Sequence, residues 1–301
     1  MSSELDLRVN IAGIEWKNPI TTASGTFDRE ASGAFYDLSA LGALTAKGVA
    51  HVPWNGNATP RIAETYGGML NSVGLQNPGI DVFLEQELPK LKAYGVPVIV
   101  NIAGHTIEEY CTVAERLEDS DADLLELNIS CPNVKEGGIG FGTDPAMASA
   151  VTAAVRKATT KPLIVKLTPN VTDITAIAKA AAEAGADALS LINTLLGMRI
   201  DVRRKTPILA NTMGGFSGPA IKPVAVRMVY QVRRAVDLPI IGLGGIMTGE
   251  DAAEFLMAGA DAVAVGTAAL ADPIAPVRVL EELKTYMKEQ GYRSLRDIPR
   301  V

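Results

Sequence analysis

The chain has 301 residues, a length that fits two average domains or one large barrel equally well. Apolar residues make up 48% and charged residues 21%, an ordinary soluble balance that excludes a disordered chain and provides for a large core. Its 28 basic and 34 acidic residues give a net charge of −6 with no run of one sign, so no nucleic acid and no membrane surface is expected as a partner.

The opening MSSELD has no basic stretch followed by an apolar one, and the longest apolar runs are of strand length, which predicts a cytoplasmic protein. Residues 7–16 alternate like a small hairpin turning at Ala12-Gly13. Apolar runs at 20–23 and 43–47 read as strands. The segment VPVIV (96–100) opens a third strand, at 98–102, with a proline, which a strand accepts at its first residue but not in its centre. Thr106 with Glu109 then reads as a helix start, followed by a strand at 124–129. Asp144-Pro145 marks the next helix, an alanine-rich run to Ala158. KPLIV (161–165) repeats the proline-opened form, with its strand at 163–167. AGADA (184–188) ends a helix at glycine and leads into a strand at 188–192. Residues 195–217, with Arg199, Arg203, Arg204 and Lys205, have no helical period and read as a long functional loop. LPIIG (238–242) and a second AGADA (258–262) frame the last two strands, 240–243 and 262–265, with a helix start at Thr248 and Asp251 between them.

Eight strands alternating with helices predict an α/β fold. It is read as a single (β/α)₈ TIM barrel spanning residues 1–301, with the short N-terminal β-hairpin plugging its bottom and a long insertion after strand 6. In such a barrel the chemistry sits where the strands end. These positions are polar: Ser24 and Thr26, Lys47, Asn101, 128–133, Lys166, Asn193 and Thr194, Gly244 and Gly245, Gly266 and Thr267. A single strand-end Asn would be an ordinary turn residue, but three Asn and two Lys at five strand ends point to a site. Glycines after strands 7 and 8 suit a phosphate held by backbone N–H groups, although a tight turn alone would also explain either pair. Lys47 and Lys166 end apolar strands, where a cation either meets an anion or reaches out to solvent.

Two Cys (111 and 131) and two His (51 and 105) cannot build a disulfide framework, a Cys₄ zinc site or an iron–sulfur cluster, so no metal is expected. Cys131 lies after a strand and before the glycine-rich 137–142. There it reads either as an inert thiol or as a general base beside a segment able to close over a substrate. Cys111, inside a helical run, reads as inert, and His105 as a loop residue without a role.

These residues resemble the class 1 dihydroorotate dehydrogenases, FMN enzymes of pyrimidine biosynthesis. The resemblance runs along essentially the whole chain and rests on ELNISCPN (126–133), NSVGLQN (71–77), GGFSGPA (214–220) and GLGGI (242–246). NVKEGG (133–138) and TPRIAET (59–65) look like the NAD-linked subclass 1B. By the resemblance, FMN would be bound by Ser24, Lys47, Gly48, Asn101, Asn128, Lys166, Ile192, Gly218, Gly244, Gly245, Gly266 and Thr267. Dihydroorotate would be held by Lys47, Asn71, Ser72, Val73, Gly74, Leu75, Asn128, Asn133, Asn193 and Thr194. Cys131 would take the C5 proton as hydride leaves C6, with Lys47 on the substrate carboxylate and Lys166 facing the charge that reduced flavin develops. Subclass 1B further implies a homodimeric core in a heterotetramer with an electron-transfer subunit that holds FAD and a [2Fe–2S] cluster. The rival readings are a fumarate-using class 1A homodimer, a flavin reductase of pyrimidines, a sugar-phosphate isomerase, and a barrel that binds a nucleotide without catalysis.

Overall fold

The structure is a computed structural model and describes residues 5–130 and 140–301. Eight short strands form one sheet: β1 (Ile20–Thr22), β2 (Leu44–Thr45), β3 (Val98–Ile102), β4 (Leu124–Asn128), β5 (Leu163–Lys166), β6 (Ala188–Leu191), β7 (Ile240–Leu243) and β8 (Ala262–Val265). Each pairs in parallel with the next from β2 to β8, and β8 pairs with β1 through Val263 and Ile20. The seam between β1 and β2 is closed mainly by hydroxyls. Thr45 N donates to Thr22 Oγ1 (3.0 Å) and Thr21 Oγ1 to the Ala43 carbonyl (2.9 Å), beside one backbone bond from Gly42 N to Ile20 O. The sheet is thereby all but closed into the predicted barrel.

The helices α1 (Ile107–Glu118), α2 (Pro145–Ala158), α3 (Ile174–Glu183), α4 (Lys222–Arg233), α5 (Gly249–Met257) and α6 (Ala275–Glu289) pack outside it. Thr248 and Asp251 form a reciprocal capping box on α5, and Asp144 caps α2 ahead of Pro145. At α1 only half of the predicted box forms. Thr106 accepts from Glu109 N, while the Glu109 carboxylate accepts from His105 N instead (2.6 Å).

The proline-opened strands share one device at the bottom of the barrel. Asp123, Asp187 and Asp261 accept the N–H of Val98, Leu163 and Ile240, the residue after each proline, at 2.7–2.8 Å. Each carboxylate also pairs with a cation from the helix before that strand: Lys92, Arg156 or Arg233. The aspartate of each AGADA repeat is thus a clasp that ties strand, neighbouring strand and helix together.

The hairpin forms as expected, Val9–Ile11 against Ile14–Trp16, with Ala12 and Gly13 both at positive φ. Ile11 and Trp16 are fully buried among Ile99, Leu124, Ile164, Ala188, Ile241 and Ala262, so the hairpin plugs the lower barrel and leaves its upper mouth for ligands. The connection after β6 is not the irregular loop expected from its lack of helical period. Leu195–Met198 and Met213–Ser217 pair with each other and then with Gly68–Asn71 and Ile62–Thr65, making a four-stranded antiparallel sheet over the mouth. Two insertions distant in sequence complete one another's hydrogen bonding, which neither does alone. Among the described residues no helix is long and apolar enough to cross a membrane.

Candidate active site

A cavity of about 270 Å³ opens at the C-terminal ends of the barrel strands, where the fold leaves the interior unplugged. Its wall contains Ser24, Lys47, Gly48, Asn71, Val73, Gly74, Leu75, Asn128, Lys166, Ile192, Asn193, Thr194, Gly218, Gly244, Gly245, Gly266 and Thr267. Most of the predicted residues are therefore brought together by one pocket. Asn101 and Ser72 are fully buried behind it, and Ser72 Oγ finds no partner among the described residues. Cys131 and Asn133 lie outside the described residues.

One end of the pocket is built for an anion. The loop after β7 turns through Gly244 (φ 130°) and Gly245 (φ 83°) and packs against the start of α4. A Cβ on Gly245 would stand 2.9 Å from both the Gly218 carbonyl and Lys222 N. This close packing explains the glycines as turn residues, yet it also leaves donors over. Among the described residues, the N–H groups of Gly244, Gly245, Gly266 and Thr267 make no hydrogen bond within the chain. Backbone donors are rarely left without an acceptor, so these four, around one cavity, fit a phosphate. Thr267 Oγ1 donates to Ser217 Oγ (2.8 Å) on the same rim.

The floor is a polar layer across four neighbouring strands. Asn101 on β3 stands beside Glu126 on β4, and Lys166 on β5 beside Asn128 and Ser190 on their neighbours. Glu126 accepts from Asn101 Nδ2 (2.5 Å) and Ser190 Oγ (2.7 Å) and lies 3.6 Å from Lys166 Nζ. The burial cost that Lys166 posed in the sequence is thus met by a carboxylate inside the barrel. Asn128 Nδ2 reaches Asn101 Oδ1 at 3.5 Å. Asn128 Oδ1 accepts from Ser130 Oγ (2.8 Å), and Ser130 Oγ accepts from Asn193 Nδ2.

Lys47 differs from Lys166. It faces the open side of the pocket and has no acidic partner among the described residues. Partial burial, with the Arg61 guanidinium nearby, pushes its ammonium below the ordinary lysine value. A cation held in a cleft without a counter-ion is a receptor for a carboxylate. Asn71, Asn128, Asn193 and Thr194 supply paired donors and acceptors around it, which suits a small ring bearing amide groups.

Several wall residues escaped the sequence reading. Ile62 and Met69 come from the roof sheet, whose existence depends on pairing between residues about 145 positions apart in sequence, as between Gly215 and Asn71, and no local pattern announces it. Behind the wall, Glu126 and Ser190 carry a signal in the sequence, each being a polar residue inside an apolar strand.

The fold and the pocket together define a class of α/β barrels with a polar pocket at the C-terminal ends of the strands, its glycine loops after β7 and β8 suited to a phosphate and its lysine wall suited to an anion. Comparison with known proteins narrows this: the dihydroorotate dehydrogenase family matches residues 6–287, and the chain belongs to that family. It is 63% identical over 297 residues, 98% of either chain, to a protein of Alkaliphilus metalliredigens called dihydroorotate dehydrogenase B (NAD(+)), catalytic subunit. Proteins of the same name from Alkaliphilus oremlandii and Citrifermentans bemidjiense are 61% and 59% identical, over 97% and 96% of either chain.

Proposed function

We propose that the chain is the catalytic subunit of an NAD-linked dihydroorotate dehydrogenase, oxidising (S)-dihydroorotate to orotate in pyrimidine biosynthesis, in the cytoplasm, with residues 1–301 acting as one FMN-binding domain. The observation that carries the reading is the division of the pocket: among the described residues, backbone donors without acceptors at one end, a cation without an acidic partner at the other, and Asn amides between. The first suits the phosphate of FMN, and the second the substrate carboxylate. Bound FMN would supply a two-electron acceptor.

The chain's own groups then have separate tasks. Gly244, Gly245, Gly266 and Thr267 hold the phosphate, while Ser24, Gly48, Ile192 and Gly218 line the same cleft and Lys166 faces the ring. Lys47 fixes the substrate by its carboxylate, and Asn71, Asn128, Asn193 and Thr194 match its amide edges, with Asn133 assigned to the same set. Cys131 is assigned the general base that accepts the C5 proton. Asn101 acts from behind the wall, through Asn128.

The named relatives are catalytic subunits, which implies a partner. We assign that partner FAD and a [2Fe–2S] cluster and the assembly a heterotetramer around a homodimer, because this chain's two cysteines cannot ligate a cluster and it carries no second nucleotide motif. The test is to purify the chain, identify its flavin by acid release and chromatography, and assay dihydroorotate oxidation with a dye, fumarate and NAD, with and without the co-expressed subunit. FMN, with NAD reduction only in the complex, is expected. Efficient fumarate reduction by the chain alone would make it class 1A, and FAD or no flavin would overturn the cofactor.

A further inference from the structure

Glu126 and Lys166 are the two charged residues buried among those described, each 5% exposed. Lys166 reaches the pocket wall, but Glu126 lies behind it. A carboxylate placed there is costly unless each oxygen has a donor and its charge is balanced. Both conditions hold. Asn101 and Ser190 donate to its two oxygens, and among the described residues Lys166 is the one cation within ion-pair distance.

The direction of the hydrogen bonds beyond it follows from its chemistry. An ionised carboxylate only accepts, so Asn101 must turn its Nδ2 to Glu126 and its Oδ1 away. That oxygen faces Asn128 Nδ2, which leaves Asn128 Oδ1 for Ser130. The Ser130 hydroxyl, having donated to Asn128, accepts from Asn193 Nδ2, and Asn193 Oδ1 is left to accept from Thr194 N. One acceptor-only group therefore orders a relay that ends in three residues of the pocket wall.

We propose that Glu126 is a positioning residue of the reaction: it holds Lys166 as a balanced cation and sets which ends of the Asn128 and Asn193 amides face the ligands. Lys47 is then the pocket cation without an acidic partner among the described residues. The inference rests on the flavin and dihydroorotate reading above.

The isosteric Glu126→Gln tests it, because Gln both donates and accepts and carries no charge. The purified variant should keep FMN, while the midpoint potential of the bound flavin moves to a more positive value as Lys166 loses its counter-ion. The kcat for dihydroorotate should fall by about 10²-fold as the amides lose their fixed sense. In a Lys166→Met background the same change should move the potential less, since the cation through which Glu126 acts on the flavin is gone. An unchanged potential in Glu126→Gln, or an equal shift in both backgrounds, overturns the proposal while the flavin reading stands. A wild-type chain that binds no flavin overturns that reading, and this one with it. If Glu126→Gln does not fold, Lys166→Met alone decides. Its Tm should lie clearly below that of wild type, because removing the cation leaves a buried carboxylate without a balancing charge, and an unchanged Tm overturns the coupling.

Discussion

Replacing Gly245 with Ala separates the two reasons for a glycine in the loop after β7. Its φ of 83° costs an L-residue about 1–2 kcal/mol. The added Cβ would also meet the Gly218 carbonyl and Lys222 N at 2.9 Å and Lys222 Cβ at 2.8 Å. Two of these are backbone atoms, so the loop must move from the start of α4, an overpacking cost of about 1–3 kcal/mol. The sum, about 2–5 kcal/mol, corresponds to a fall in Tm of about 4–10 °C for a chain of this size. Gly291 is the control, with φ 74° and nothing within 4 Å of its would-be Cβ. Gly291→Ala should cost only the conformational part, about 1–2 kcal/mol, and leave flavin content unchanged. Gly245→Ala should lose flavin as well, because the displaced loop carries two of the four unpaired donors. Thermal melting with flavin quantification reads both effects. If the two variants melt alike and both retain flavin, the loop is neither tightly packed nor part of the phosphate site.

Lys47→Met should retain flavin and lower kcat/KM for dihydroorotate by about 10²-fold or more, as a charge-assisted contact is lost; steady-state kinetics beside a flavin spectrum checks it. Because the Lys47 pKa lies below the usual 10.5, its cationic form, and with it substrate affinity, should decline as pH rises through that lowered value, earlier than for an ordinary lysine. A pH profile of kcat/KM that stays flat to pH 10.5 would refute this. Cys131→Ala should keep flavin and fold but lose about 10²–10⁴ of turnover, with Cys131→Ser partly active at high pH, in rapid-mixing measurements of flavin reduction. Cys111→Ala should be nearly silent in the same assay, since burial and the nearby Glu115 and Glu108 raise its pKa and keep it a thiol. Trp16→Ala should destabilise the chain by about 3–5 kcal/mol in denaturant unfolding, as it empties the hairpin's plug from the lower barrel.

The strands were legible because each buried parallel strand is a short apolar run, and the proline at three of them marks where the ladder begins. All eight observed strands fall within the expected ranges, and the hairpin turn sits at Ala12-Gly13 as its alternation and glycine require. The strand-end residues were legible as well, since a barrel strand's C-terminal end follows once the strand is found, and Lys47, Asn128, Lys166, Asn193, Gly244 and Gly266 do line the pocket. What the sequence left undetermined depends on contacts between distant segments. The roof sheet joins residues 62–71 to 195–217, and strand pairing of that range has no local signature. The clasp role of Asp123, Asp187 and Asp261 appears only when each meets a strand start and a helix cation about 20–30 positions earlier. The partner of Lys166 was undecided for the same reason. Whether a strand-end lysine is balanced within the barrel or left open for a ligand depends on which side chains its neighbours bring within reach: Glu126, two register positions before the Asn128 that pairs with Lys166, lies 3.6 Å from its Nζ, whereas Lys47 has no acidic partner among the described residues.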